Sequence, residues 1–236
     1  MKKSLFRTIS RYFGYELIKT KKNPTLDSHI HNLFKNNKID FVLDIGANRG
    51  TFAKKIRMLG YQGQIMSFEP LSQLYENLVI ESSSDKKWTV FNIGFGEFKE
   101  EVTINKTKGS DLSSILMPNE TGKDLFTNKM EIEETQNIIL ETLDSFYESF
   151  NLSGGVFLKT DTQGFDLNVL KGGALCLKKI NFVLVETSFI PIYKNSPSFN
   201  EIYEYLNSLG FKLSGIYPVS KNSLGQIIET DSLFIK

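Results

Sequence analysis

The sequence predicts a doubly wound α/β domain built on a mostly parallel seven-stranded sheet. Three observations carry this. From Asp40 onward, short β-branched runs alternate with helical stretches. An acid, Asp44, sits inside the first apolar run, and a glycine-bearing bend follows it in "FVLDIGANRG" at 41–50. Strands separated by helices pair in parallel through right-handed crossovers.

Taken in order, "FVLDI" reads as the first strand and "TFAKKIRMLG" as a helix stopped by Gly60. "GQIMSFEP" is a second strand closed by Pro70, and "LSQLYENLVIES" the next helix. "WTVFNIGF" reads as the third strand and "EEVTINKT" as a short extra one, before a polar loop from Lys108 to Asn128. "FLKTD" is the fourth strand, and "DLNVLKGGALCLKKI" a helix with Gly172 and Gly173 inside its pattern. "NFVLVETS" is the fifth. "SFNEIYEYLNSLG" is a helix capped by Ser198 and stopped by Gly210. "FKLSGIYPV" and "GQIIETDSLFIK" have only "SKNSLG" between them, so these two strands pair antiparallel and bring an antiparallel strand to the C-terminal edge.

The chain has 236 residues, 40% hydrophobic and 23% charged, which suits one globular domain at 39–236 behind an N-terminal arm at 1–38. A formal net charge of +1 gives no global pull toward nucleic acid. A single cysteine, Cys176, makes an intrachain disulfide and a Cys/His metal cluster impossible, and reads as a small buried apolar residue. No apolar run approaches the ~20 residues that span a bilayer. Arg7 and Arg11 interrupt the first apolar stretch, so no secretory signal is read and a cytoplasmic protein is expected.

The arm differs from the rest. Leu5, Phe6, Ile9, Tyr12, Phe13 and Leu17 recur at helical spacing, amid Lys2, Lys3, Arg7, Arg11, Lys19, Lys21 and Lys22 and a single acid, Glu16. Such a basic amphipathic helix suits either the inner face of an anionic membrane or packing on the domain or on a second copy of the chain. Gly14 weakens it and Asn23-Pro24 ends it. A second helix is expected over about Thr25 to Lys38.

The bend after the first strand is where an open α/β sheet binds ligands. Gly46 and Gly50 allow a tight turn and close approach of backbone to a cofactor, with Ala47 and Asn48 between them. A dinucleotide fingerprint needs glycines at 46, 48 and 51, where this chain has Gly46, Asn48 and Thr51, and no G-K-[ST] follows as a P-loop requires. Glu69, before Pro70, ends the second strand, where a carboxylate accepts both hydroxyls of an adenosine ribose and repels a 2′-phosphate. The strand-one acid, the G-x-N-x-G turn and the strand-two acid together suggest S-adenosylmethionine. Asp44 is then expected toward the methionine end, directly or by fixing the turn amides. Asn92 is expected near the adenine, with Ser113 and Ser114 reaching the same pocket.

"FVLDIGANRGTFA", "SFEP", "LKTDTQGFDLNVLKGG" and "VLVETSFIPIYKNSPSFNEIYEYLNSLGF" resemble the FkbM family of S-adenosylmethionine-dependent methyltransferases. The resemblance covers about 40–236 and leaves the arm outside. Its first motif is common to many class I methyltransferases, whereas "KTDTQGFDLNVLKGG" is more specific. The resemblance implies a Rossmann-like class I methyltransferase sheet and methylation of hydroxyl oxygens, on polyketides or on sugars of bacterial glycans.

An alcohol oxygen is a poor nucleophile until it begins to lose its proton, so a base or a metal is needed nearby. His29 and His31, the two histidines, lie in the N-terminal segment, so a histidine base requires the arm to fold over the site. Lys159 and Asp161 share one face at the end of the fourth strand. Asp161 is the candidate base or acceptor-orienting carboxylate, with tying down the turn as its structural alternative, and Lys159 would hold its charge or steady a developing alkoxide. Gln163 follows in the turn, Gly164 allows the bend, and Asp166 suits a helix cap. Glu186 closes the fifth strand, either against the acceptor or satisfied by a lysine. Asp161, Glu186 and Asp111 are oxygen ligands suited to a divalent metal, though no spacing requires one.

An O-methyltransferase acting on a small-molecule or glycan acceptor is therefore the leading expectation. A nicotinamide-dependent dehydrogenase fits the fold but not the glycine spacing. A non-catalytic cofactor-binding module tethered by its arm, and an RNA methyltransferase lacking the usual basic stripe, are weaker alternatives.

Overall fold

The computed structural model describes residues 9–15, 24–150 and 152–236. The parallel heart of its main sheet is β1 (Phe41–Ile45), β2 (Gln64–Phe68), β3 (Trp88–Phe91), β7 (Val156–Thr160) and β8 (Phe182–Ser188). Strands β9 (Lys212–Lys221) and β10 (Ile227–Ile235) complete seven strands in the order β3-β2-β1-β7-β8-β10-β9. β10 runs antiparallel to both of its neighbours, as the short connection between the last two runs requires. The central strands are buried on both faces, which is why they read as apolar runs with little alternation.

Helices cover both faces. On one lie α1 (Leu26–Asn36), α2 (Thr51–Met58) and α3 (Ser72–Ser82), packed through Ile30, Ile56 and Leu78 onto Val42, Phe157 and Leu184. On the other lie α5 (Leu143–Ser149), α6 (Asp166–Lys171) and α7 (Phe199–Ser208), packed onto Leu43, Leu158 and Val185. Some of these helices start on a side-chain cap. Thr25 accepts from Ser28 N at α1, and Ser198 with Glu201 forms a reciprocal capping box at α7. Edge-to-face contacts of Phe68 with Phe95 and Phe146, at 4.9 and 4.8 Å, anchor the second face.

The sequence expectations miss a second sheet. β4 (Gly94–Phe95), β6 (Ile132–Glu141) and β5 (Glu100–Thr107) form a three-stranded flap in the order β4-β6-β5. The expected third strand therefore divides, with Gly94 and Phe95 crossing into the flap. The expected polar loop at Lys108 to Asn128 holds a 3-10 turn, Ser110–Leu112, and α4 (Glu120–Phe126), which Asn119 caps. The expected long helix over "DLNVLKGGALCLKKI" stops at Lys171, where a Cβ on Gly172 would lie 2.0 Å from Gly96 O. A short 3-10 turn at Cys176–Lys178 follows.

The expected arm helix falls largely outside the described residues; within them, 9–12 are helical. The described helices include none long and apolar enough to cross a membrane.

Candidate functional site

The bend after β1 is held in left-handed backbone at three positions. Gly46, Asn48 and Gly50 have φ of 71°, 47° and 70°. At Gly46 a Cβ would lie 1.9 Å from Asp161 O, so only glycine lets the β1 and β7 turns approach this closely. Behind the bend, Asp44 and Lys159 are register partners on adjacent strands. Lys159 Nζ lies 3.2 Å from Asp44 Oδ1 and donates to Gly46 O at 3.0 Å. Ser67 Oγ donates to Asp44 Oδ2, and Trp88 Nε1 donates to Ser67 Oγ. Burial works to lower the Lys159 pKa, but Asp44 and Asp161 outweigh it and hold the ammonium charged. Asp44 thus fixes the bend from behind, through Lys159, and lines no hollow.

Two hollows open at the carboxyl ends of the strands. The first holds about 710 Å³ of free space between the β1 bend, the end of β2 and the flap. Its walls are polar at Asn48, Glu69, Ser113 and Asp161, and apolar at Phe68, Leu74, Ile93, Phe95, Ile104, Ile138, Leu140 and Phe165. The second holds about 1180 Å³ and runs past Ala47, Phe52, Lys55, Lys159 and Leu184 to Asp231 on β10. Gly46, Asn48, Ser110, Asp111 and Asp161 line both, so they form the sill where the two meet. Asn48 Nδ2 donates to Ser110 O at 2.8 Å and straps the 3-10 turn across that sill.

Glu69 joins the two loops of the first hollow. Its Oε2 accepts from Asn48 N at 2.8 Å and its Oε1 from Leu71 N at 3.0 Å. Burial pushes its pKa up to about 7 despite these amides, because two N–H donors fill only half of a carboxylate's acceptor sites. Asn92, expected near the adenine, instead donates to Glu69 O and Pro70 O, is exposed and is not part of the hollow's lining, whereas its neighbour Ile93 is. Pro70 and Ser113 line the hollow. Ser113 Oγ accepts from Thr107 N, and Ser114 Oγ donates to Gln163 O. Gly50 packs against Leu78 and Trp88 and sets the start of α2 rather than the wall.

Asp161 is held on both sides. Gln163 Nε2 donates to Asp161 Oδ1 at 2.9 Å and to Glu186 Oε2 at 2.7 Å, while Lys159 Nζ lies 3.5 Å from Asp161 Oδ2. The Tyr193 hydroxyl, 2.9 Å from Gln163 Oε1, orients that amide. Glu186 is therefore satisfied by an amide rather than by a lysine, and it lines neither hollow. Burial, then the charge of Asp161, raises its pKa well above the usual value. The amide of Gln163 stands between two of the three oxygen ligands considered for a metal, and no group of three or more His, Cys, Asp or Glu among the described residues is arranged to hold one. Asp166 accepts from Thr162 N at the start of α6, and burial pushes it up to about 6. His29 bonds Tyr217 Oη and His31 bonds Leu59 O, so neither arm-side histidine lines a hollow.

Sequence reasoning missed three residues here. Tyr193 and the flap residue Leu140 carried no local signal. Asp231 did, more faintly: it stands in the polar stretch Glu229 to Ser232 that divides the two apolar ends of "IIETDSLFI".

The Methyltransferase FkbM domain model matches residues 44–213, which contain the β1 bend, Glu69, Asp161 and Glu186. The chain belongs to the FkbM methyltransferase family. A curated relative, hexuronic acid methyltransferase AglP of Haloferax volcanii, is 28% identical over 147 residues, covering 62% of this chain and 55% of its own. The solved FkbM methyltransferase of Methylobacillus flagellatus KT superposes with a TM-score of 0.54 at 15% identity, over 84% of this chain and 44% of that one. The chain thus spans about half the length of these two relatives. The shared fold is the Rossmann-like class I methyltransferase sheet. The cofactor is S-adenosylmethionine, and the first hollow fits it. Glu69 has acceptor sites unfilled, as a ribose diol requires. The apolar far wall suits a purine, and the glycine bend leaves room for a ligand close to backbone.

Proposed function

We propose that this protein is an S-adenosylmethionine-dependent O-methyltransferase acting on a hydroxyl of a sugar, in a bacterial glycan or its precursor. The observation that carries this is Asp161, whose carboxylate stands on the sill shared by the two hollows, held by Lys159 and Gln163. When bound in the first hollow, the cofactor supplies a methyl group on a sulfonium, ready for in-line displacement. This chain's part is position and charge: Glu69 and the apolar wall seat the adenosyl group, and Asp161 orients the oxygen that attacks. The relative named for hexuronic acids supports a sugar acceptor. A nicotinamide cofactor is not favoured, since Asn48 and Thr51 stand where its fingerprint needs glycine.

Incubation with S-adenosylmethionine and a panel of methyl hexosides and methyl hexuronides tests the reading. The expected product is heavier by one methyl group and resists mild alkali, as an ether does. A product that alkali hydrolyses would be an ester of the uronate carboxyl, and would overturn hydroxyl methylation.

A further inference from the structure

Among the described residues, Asp231 is the one carboxylate lining the second hollow that is not exposed and yet is left without a hydrogen-bond or ion-pair partner. It lies on β10 opposite Glu186 of β8 and Tyr217 of β9. β7 ends one residue before Asp161, with Thr160 paired to Val185, so Asp161, Glu186 and Asp231 come at one level on neighbouring strands. Among the described residues, the Asp231 carboxylate makes no hydrogen bond or ion pair, although it is well enclosed. The other candidates are engaged elsewhere. Asp161 has Gln163 on one oxygen and Lys159 near the other. Glu186 accepts from Gln163 and lines neither hollow, Glu229 accepts from Ser220, and Asp111 is exposed on the sill. Lys159 is a charged ammonium spent on carbonyls and carboxylates.

We propose that the second hollow is the acceptor site and that Asp231 takes the proton of the hydroxyl being methylated. This rests on the O-methyltransferase reading above. Five residues line both hollows, so an acceptor in the second meets the methyl group across the sill. As the acceptor oxygen bonds the methyl carbon, the carbon–sulfur bond breaks with its electron pair passing to sulfur. The hydroxyl proton passes to Asp231 Oδ, and then to water through the open mouth. S-adenosylhomocysteine and a methyl ether are the products. Asp161, already held, orients the oxygen; Asp231, unheld, is free to accept.

The surroundings suit a base. Lys159 on β7 and Asp161 just past its end face Asp231, as do Lys55 from α2, Glu186 from β8 and Tyr217 from β9, with Glu229 on its own strand. Burial, then Asp161, pushes its pKa up to about 6, against the pull of Lys159 and Lys55. It is then mostly ionised at neutral pH yet more basic than an ordinary carboxylate.

Two measurements test this, one needing no acceptor. In the S-adenosylhomocysteine complex, the carboxyl ¹³C signal missing from Asp231→Asn should titrate near pH 6; titration at the ordinary value of about 4 would overturn the assignment. With whichever methyl hexoside or hexuronide the wild type methylates, Asp231→Asn should lower kcat by about 10²–10⁴-fold and abolish the acid limb near pH 6 of kcat/KM for the acceptor, measured at saturating S-adenosylmethionine. Asp231→Glu should recover part of the rate, and S-adenosylhomocysteine affinity should stay within about twofold. Thr51→Trp, narrowing the second hollow, should raise KM without weakening S-adenosylhomocysteine. Wild-type turnover in Asp231→Asn, a limb that persists, or lost cofactor affinity would each refute the proposal. A wild type that methylates none of these sugars, with the Asp231 signal still titrating near 6, would instead strike the choice of acceptor.

Discussion

At the scale of single residues, the same chemical type serves opposite ends. Asp44 and Asp161 flank Lys159 at 3.2 and 3.5 Å, but Asp44 is fully buried while Asp161 lines both hollows. Lys159 is therefore first a structural cation: it neutralises Asp44 and ties down the carbonyl of Gly46. Removing one partner of a buried pair leaves an uncompensated charge, at a cost of about 3–5 kcal/mol. Lys159→Met should lose that much stability in urea unfolding, and Asp44→Asn in the same chain should restore part of it. Glu69→Ala should weaken S-adenosylhomocysteine by ~1–3 kcal/mol in calorimetry, the scale of hydrogen bonds to a charged group. Asp161→Asn should leave that affinity nearly unchanged and slow turnover by about 10²-fold through a misplaced acceptor. Its acid limb should survive, unlike that of Asp231→Asn.

At the scale of elements, β1, β2, β7 and β8 were legible because strands buried on both faces must be apolar, and because an acid or a turn punctuates each apolar run near its carboxyl end. The flap was not. β6 is exposed along most of its length, so "IEETQNIILE" shows neither clean alternation nor an apolar run. α6 misled for another reason: its helical pattern continues past Lys171, but Gly172 must pass close to the Gly96 carbonyl, a constraint only tertiary structure reveals. The site divides likewise. Gly46, Asn48, Glu69, Pro70 and Asp161 were placed on the wall from the motifs and Ser113 from its place in the polar loop, whereas the apolar wall came from the unread flap and Asp231 from a strand read only for its pairing. The arm is an element with its own prediction. Tyr12, Phe13 and Tyr15 are 85%, 68% and 71% exposed, beside a sequence carrying seven cations and one acid over residues 1–22. Aromatic and basic side chains together suit an anionic lipid surface. Full-length protein should co-sediment with phosphatidylglycerol vesicles and release in high salt, and deletion of 1–22 should abolish this. A dimer that becomes a monomer on deletion, with no vesicle binding, would assign the arm to self-association.

At the scale of the whole molecule, the carboxyl edge of the sheet gathers acids that folding makes harder to ionise. Burial pushes Glu69 and Glu229 up to about 7, Asp166 and Asp231 up to about 6, and Glu186 well above its usual value. Between about pH 4.5 and 7 the folded chain therefore holds protons at these groups that the unfolded chain has released. Stability must then fall as pH rises through that window, the reverse of ordinary acid denaturation. His29 opposes this, since burial lowers its pKa, but it is one group against five. One proton of difference across one pH unit is about 1.4 kcal/mol, and each kcal/mol moves Tm by roughly 2–4 °C in a chain of this size. The ligand-free protein should thus melt several degrees lower at pH 7.5 than at pH 5.5. A ribose diol donating to Glu69 favours its ionised form, so S-adenosylhomocysteine should bind more weakly as pH drops below about 7, by up to tenfold per unit. Its stabilising effect on Tm should accordingly be larger at pH 7.5 than at pH 5.5, and Glu69→Gln should remove most of that difference. A Tm of the ligand-free protein that rises steadily from pH 5.5 to 7.5 would show that these acids ionise as freely folded as unfolded.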